Sequence, residues 1–267
     1  MATRNYCCFK GRGEIALVDY SAYLAKTAGL VPVGNASQFE IQVSEKTEEV
    51  PDYTSPEGGT ACRTREIEKV DLALTLMCHS PANLVRAAYG HGASEGVTSA
   101  AVVGEEHVLW PGAVEPLVHL IDDSVAVVVK SQDDVTTYVN GTDYEITPAG
   151  SIKHLAGGTI PAPTVTASVG QPNIKVSYTR KVQTLIQIYS KVSAPMRLHF
   201  DGFNVAGDKP MPQHFDLCKV ELSAAKSLAM ISDSIGKLEF TGTALRDTSL
   251  PRGTLANPLS QYGTLKL

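Results

Sequence analysis

Two runs of strict apolar–polar alternation flank a long polar excursion, and no other feature limits the fold as much. Phe39, Ile41 and Val43 alternate with Glu40, Gln42 and Ser44; after the excursion Val70, Leu72, Leu74 and Leu76 alternate with Lys69, Asp71, Ala73 and Thr75. A period of two puts the apolar side chains of each run on one face, so both runs are expected to be strands with one buried face. A hairpin would join them, yet the connection over 45–65 far exceeds the about two to five residues of ordinary hairpin loops. Within it Pro51, Pro56, Gly58 and Gly59 exclude regular helix, and Val50, Tyr53 and Ala61 are too few for a local core. The expectation is a loop without order in the free monomer that folds against a second copy of the chain.

After Met77 a complete set of helix signals follows. Ser80 stands where an N-cap belongs, Pro81 takes the first helical position where its missing N–H costs nothing, and Gly90 falls just past the end. Leu84, Val85, Ala88 and Tyr89 give one apolar side, so a short helix is predicted over 80–89. From 122 the texture changes to short strand candidates at close, even turn spacing, with Asn140-Gly141 as a two-residue hairpin turn. That spacing is expected of a small immunoglobulin-like β-sandwich, inserted over 122–180 between main-body segments 1–121 and 181–267. In the last segment Met196, Leu198 and Phe200 face one way, and Leu238, Phe240 and Ala244 alternate against Lys237, Glu239 and Thr243. Beyond Asp247 the chain is rich in Pro, Gly and Asn and is expected to be an arm lying on something else. The fold class is therefore mainly β, a β-sandwich or barrel with one short helix.

Composition narrows the function. A hydrophobic content of 43% suffices for a core, while charged residues at 19% fall below the usual quarter or so, which favours a protein that buries surface against partners. The formal charge of −5 comes without any Lys/Arg block, so gripping nucleic acid through its phosphates is not expected. No apolar run resembles a secretion signal or a membrane span, which points to a cytoplasmic protein without membrane insertion. The five cysteines are odd in number and lack both disulfide-framework and metal-site spacing; Cys78 and Cys218 read as small strand hydrophobes.

Catalytic templates fit poorly. Gly92-Ala93-Ser94-Glu95-Gly96 matches the G-x-S-x-G elbow, but the elbow needs a strand before its serine and a helix after it, the reverse of the order here. His199 and Asp201, offered as its partners, are alternate residues on one strand and read more simply as exposed sheet positions. Gly11-Arg12-Gly13 lacks the third glycine of a dinucleotide loop, and the run after Gly202 has Asp208 where a phosphate loop needs lysine. The seven histidines include no pair at helical spacing beside a carboxylate, so no metal site is expected. One tryptophan and 6% aromatics give no stacking platform for bases or sugars. The reading is a protein that is not an enzyme and has no cofactor.

The order of motifs resembles the major tail tube proteins of long, non-contractile-tailed bacteriophages. The resemblance is carried by Val50-Pro51-Asp52-Tyr53 through Gly59, by Val70-Asp71-Leu72 and the helix that follows, by Thr137-Tyr138-Val139-Asn140-Gly141, by Leu198-His199-Phe200-Asp201-Gly202, and by Leu238-Glu239-Phe240-Thr241-Gly242. It implies a structural virion protein whose copies form stacked, hexameric rings in the tail, assembled in the host bacterial cytoplasm. The rings make the conduit for DNA ejection, holding tape measure protein and then DNA, with tail terminator and distal tail proteins at the ends. On that footing Val50, Pro51, Asp52, Tyr53, Pro56, Arg63 and Arg65 are expected in an inter-ring loop. Alternation then assigns Glu40, Gln42, Ser44, Lys69, Asp71 and Thr75 to the lumen, where a wall without dense basic charge lets a polyanion slide. The alternative is another virion structural protein, a tail terminator or a capsid decoration protein.

Overall fold

The computed structural model describes residues 8–54, 56–89, 96–206, 210–251, 253–254 and 259–267. The chain is mainly β and divides into two compact units, Met1–Ala93 with Ile186–Leu267, and Ser94–Leu185.

The first unit opens with β1 (Gly11–Asp19), a one-turn helix α1 (Tyr20–Leu24) and the short β2 (Val31–Pro32). Asp19 caps α1 by accepting from the Ala22 N–H at 3.0 Å. Next come β3 (Ala36–Pro51) and β4 (Thr60–Leu76), two long antiparallel strands, then α2 (Pro81–Ala87). The expected caps of α2 are in place: Ser80 Oγ accepts from the Asn83 N–H at 3.3 Å with Pro81 just after it. Gly90, the expected stop, lies outside the described residues. The side chain of Asn83 is wholly buried. It donates to the carbonyls of Val33 and Cys78 at 2.8 and 2.9 Å and accepts from Arg86, tying the helix to the strand ends beneath it.

The second unit comprises β5 (Gly96–Val97), β6 (Ala100–His107), β7 (Val114–Glu115), β8 (Val128–Ser131), β9 (Thr137–Tyr138), β10 (Tyr144–Ile146), β11 (Ile152–His154), β12 (Val165–Thr166), β13 (Val169–Gly170), β14 (Ile174–Arg180) and β15 (Gln183–Thr184). Its main sheets run β6-β14-β8-β9 and β10-β11-β7. Both contribute to one core, with Val129, Tyr138, Ile174 and Val176 from the first and Tyr144 and Ile152 from the second. The insert thus begins near 94 instead of 122. β6 hydrogen-bonds along β14 from Ile174 to Arg180, and alternation within β6 could not reveal which partner it takes. Asn140-Gly141 also differs from expectation. Gly141 adopts φ +84°, but β9 and β10 belong to different sheets, so the turn is a corner between sheets and not a hairpin. The buried Asp143 secures it, accepting from the Val139 N–H at 2.8 Å and from the N–H and hydroxyl of Thr159 at 2.7 and 2.8 Å.

The chain then returns to the first unit as β16 (Met196–Asn204), β17 (Met211–Leu222), β18 (Leu238–Ala244) and β19 (Gly263–Lys266), completing a sheet of order β2-β1-β16-β17-β18-β4-β3. β19 pairs with the first half of β17 and Tyr262 packs on the core, so the expected arm adds a strand to its own sheet. The sheet rolls over on itself: Phe39 of the edge strand β3 lies 5.9 Å from Phe200 of β16 and 6.1 Å from Phe215 of β17, ring centre to ring centre. Inside the roll, Leu72, Leu74, Leu76, Leu198, Leu238 and Phe240 form the core expected from their alternation, joined by Ile15, Leu17 and Val220. Val43, placed in that core by the pattern, is instead half exposed at 55%, because the roll ends before it.

Candidate interaction surface

β3 and β4 leave the body of the sheet as one ribbon. From Gln38 opposite Thr75 to Val43 opposite Val70 they are paired residue for residue over the core; just beyond, the register slips, with Ser44 opposite Lys69 but Glu45 opposite Ile67. Glu68 is the extra residue, a β-bulge that twists and redirects the strands leaving the sheet. Beyond it the ladder continues as Lys46 opposite Glu66, Thr47 opposite Arg65, Glu48 opposite Thr64, Glu49 opposite Arg63 and Val50 opposite Cys62. Segment 45–65 is therefore no irregular loop. It is a two-stranded extension whose turn occupies 52–59, closed by the Asp52 N–H donating to the Gly59 carbonyl at 2.8 Å, with Gly58 and Gly59 at φ +69° and +129°. The sequence reading failed here because it took the lack of a buried face as lack of strand, whereas cross-strand hydrogen bonding does not require burial.

All residues from Ser44 to Pro51 and from Thr60 to Lys69 are exposed, so neither face of the ribbon is covered. Its ion pairs, Glu49 with Arg63 at 3.2 Å and Lys46 with Glu48 at 2.6 Å, sit in water and contribute only tenths of a kcal/mol each. Two strands alone are marginal in water. Val50, Ile67 and Tyr53 nevertheless stand exposed at 52%, 53% and 87%. The structure brings all seven residues expected in the inter-ring loop to this outer end: Val50, Pro51, Arg63 and Arg65 on the strands, and Asp52, Tyr53 and Pro56 in the turn. Ile67 and Val43 belong to the same exposed apolar set and were missed, the first for want of an alternating neighbour and the second because alternation assigned it inward.

The lumen candidates share one face, with Glu40 opposite Ala73, Gln42 opposite Asp71 and Ser44 opposite Lys69. Glu40, Gln42, Ser44 and Lys69 are exposed and Asp71 half-buried, but Thr75 is buried, its hydroxyl 3.5 Å from Gln38 Oε1, and lines no open surface. The amides of Gln42 and Gln38 donate to Glu40 and hold its carboxyl below its ordinary range. Lys69 does the same for Asp71 at 2.8 Å, helped by the Thr243 hydroxyl at 3.0 Å. The face continues onto β17 and β18, where Glu221 and Thr243, with Lys226 from the connection between them, border a polar cleft of about 680 Å³ with Gln42, Lys69 and Asp71. Only the register of β18 against β4 reveals that continuation.

A polar cluster in the second unit is closed. Its partly buried Glu105 accepts from Tyr178 at 2.7 Å, from the Val118 N–H at 3.0 Å and is paired with the buried His107 at 2.6 Å. Burial, then Glu105, push the Tyr178 phenol up. Every partner there is used internally. Of the elbow motif, Gly92, Ala93, Ser94 and Glu95 lie outside the described residues, and His199 is hydrogen-bonded to Asp216 at 2.8 Å instead of Asp201. No helix among the described residues is long and apolar enough to cross a membrane.

No curated protein matches the chain. A family model matches residues 8–266, and the chain belongs to that family, described as protein of unknown function UCP028589.

Proposed function

We propose that the chain is a structural subunit of a phage tail tube, polymerising through stacked, sixfold rings around a conduit for DNA ejection. One observation carries the reading: the ribbon beyond Glu68 is paired and extended yet uncovered on both faces, a shape that gains stability only when another copy packs on it. The tail tube resemblance over the same segment supports it. So does the long outer strand β3, whose free edge can continue into a neighbour's sheet. A head-to-tail contact of this kind closes into a ring by rotation and stays open along the axis, which yields a tube. The polar face with Glu40, Gln42, Ser44, Lys69 and Asp71 is the lumen candidate, the charge of Lys69 being matched by Asp71. Tape measure protein and then DNA would occupy that lumen in the virion tail, with terminator and distal tail proteins at its ends.

Negative-stain microscopy of purified chain tests this. Wild type is expected to give filaments at high concentration, and deletion of 49–63 to give none while near-ultraviolet circular dichroism shows that the packed core is retained. Ordinary tubes from the deletion variant would sink the proposal; rings or trimers that never stack would favour a terminator or decoration protein. Replacing 94–185 by a short linker is expected to leave tubes intact. The flanking segments 88–89 and 189–191 are adjacent, since the Tyr189 and Lys191 N–H groups donate to the Ala88 and Tyr89 carbonyls at 2.7 and 3.0 Å.

A further inference from the structure

We infer that the outer face of β16 and β17 holds a divalent transition-metal site formed by His199, Asp201 and His214, with Asp216 as the residue that orients His199. The antiparallel register sets Asp216 across from His199 and His214 across from Asp201. Because Leu198, Phe200, Phe215 and Leu217 turn into the core, these four polar side chains occupy a two-by-two block on the opposite face. One potential ligand atom from each of His199, Asp201 and His214 lies within 4.8 Å of the other two. The two imidazoles are 5.8 Å apart and tilted by 40°.

Two distances favour a metal over a pair of simple cross-strand contacts. His214 Nδ1 is 3.8 Å from Asp201 Oδ1, too long for a hydrogen bond. It approaches the roughly 3.3 Å that separates two ligands on one tetrahedral ion with bonds of about 2.0 Å. His199 Nδ1 is 2.8 Å from Asp216 Oδ1, and a carboxylate can only accept there, so Nδ1 carries the proton and, in the neutral ring, Nε2 is the nitrogen with a lone pair for a metal. That is the carboxylate–histidine arrangement that fixes the ring of a metal ligand. Arg197, 3.6 Å from the same Asp216 Oδ1, pairs with that carboxylate as well.

Flanking positions leave the site open. Ala16 is opposite His199 on β1 and Thr264 is opposite Asp216 on β19, both small, while Glu14 beside Asp201 offers a further oxygen; Lys266 beside His214 and Arg197 beside Asp216 are the adverse charges among the described residues. Two imidazoles with one carboxylate select borderline ions of the zinc, cobalt and nickel class over magnesium or calcium, and water completes the shell. Such an ion would staple β16 to β17.

Zinc binding to full-length, untagged chain, followed by isothermal titration calorimetry, tests the inference. One Zn²⁺ per chain is expected, with at least about tenfold weaker binding in His199→Gln and His214→Gln and about 10- to 100-fold weaker in Asp216→Asn. Mg²⁺ is expected not to compete. His214 is partly exposed, so its variant keeps the fold, which near-ultraviolet circular dichroism verifies; Co²⁺ is expected to give visible absorption bands in wild type that vanish in His214→Gln. Zinc affinity unchanged in both histidine variants, or no binding to wild type, overturns the site.

Discussion

The base and the outer end of one hairpin behave as different materials. Below the Glu68 bulge, β3 and β4 bury Phe39, Ile41, Leu72 and Leu74 against the rolled sheet; above it the same two strands bury nothing. Hydrogen-bond pairing runs through both halves. The difference teaches that ladder formation gives a strand its shape while burial gives it stability, and that a chain can keep the first without the second if a partner is to supply what is missing.

Five measurements would break or sharpen that contrast. Hydrogen exchange in the free chain should show the largest gap, with amides of 70–76 protected at least about a thousandfold more than those of 62–66, and the gap closing on assembly. Equal protection in free chain would erase the distinction. Next, Leu74→Ala at the base is expected to lower unfolding stability by about 2–5 kcal/mol in urea titration, because Leu74 is fully buried, whereas Ile67→Ala should stay within about 0.5 kcal/mol. Asn83→Ala, which strands the Val33 and Cys78 carbonyls beneath α2, should cost about 2–3 kcal/mol in the same assay.

Acid should touch the base more gently. The carboxyls of Glu40 and Asp71 sit below their ordinary values of 4.5 and 3.8 in the folded chain. Their contribution is therefore present above those values and fades as pH falls through the depressed ones. Both are surface groups, so the loss is small, and a Glu40→Gln, Asp71→Asn double variant should show a flatter stability profile below pH 4.5 than wild type. The smallest effect belongs to the ribbon: Glu49→Ala, which removes the pair with Arg63, should change monomer stability by no more than about 0.5 kcal/mol.

How much of this could be read in advance follows the same line. Wherever one face is buried, alternation or capping announced the element: Leu72 to Leu76, Leu238 to Ala244, and the Ser80-Pro81 start of α2 all stand as expected. Where stability comes from a neighbour across the sheet, the linear order was mute. The ribbon was taken for a loop because Glu45 to Pro51 has no inner face, and the insert's start was misplaced because β6 alternates alike whatever it pairs with. The block of His199, Asp201, His214 and Asp216 escaped a search made at helical spacing, since only the register of β16 on β17 makes His199 and Asp216 neighbours. Thr75 shows the opposite error, a polar residue on the outer face that is buried all the same.

The ribbon is also a ruler. From Glu45 to Pro51, at about 3.3 Å per residue, it projects roughly 23 Å past the bulge. In the proposed tube a copy held by Tyr53 would have to approach within that span, so lengthening both strands by two matched residues should set successive copies farther apart by about 7 Å, a change in axial repeat that a diffraction pattern of filaments would read.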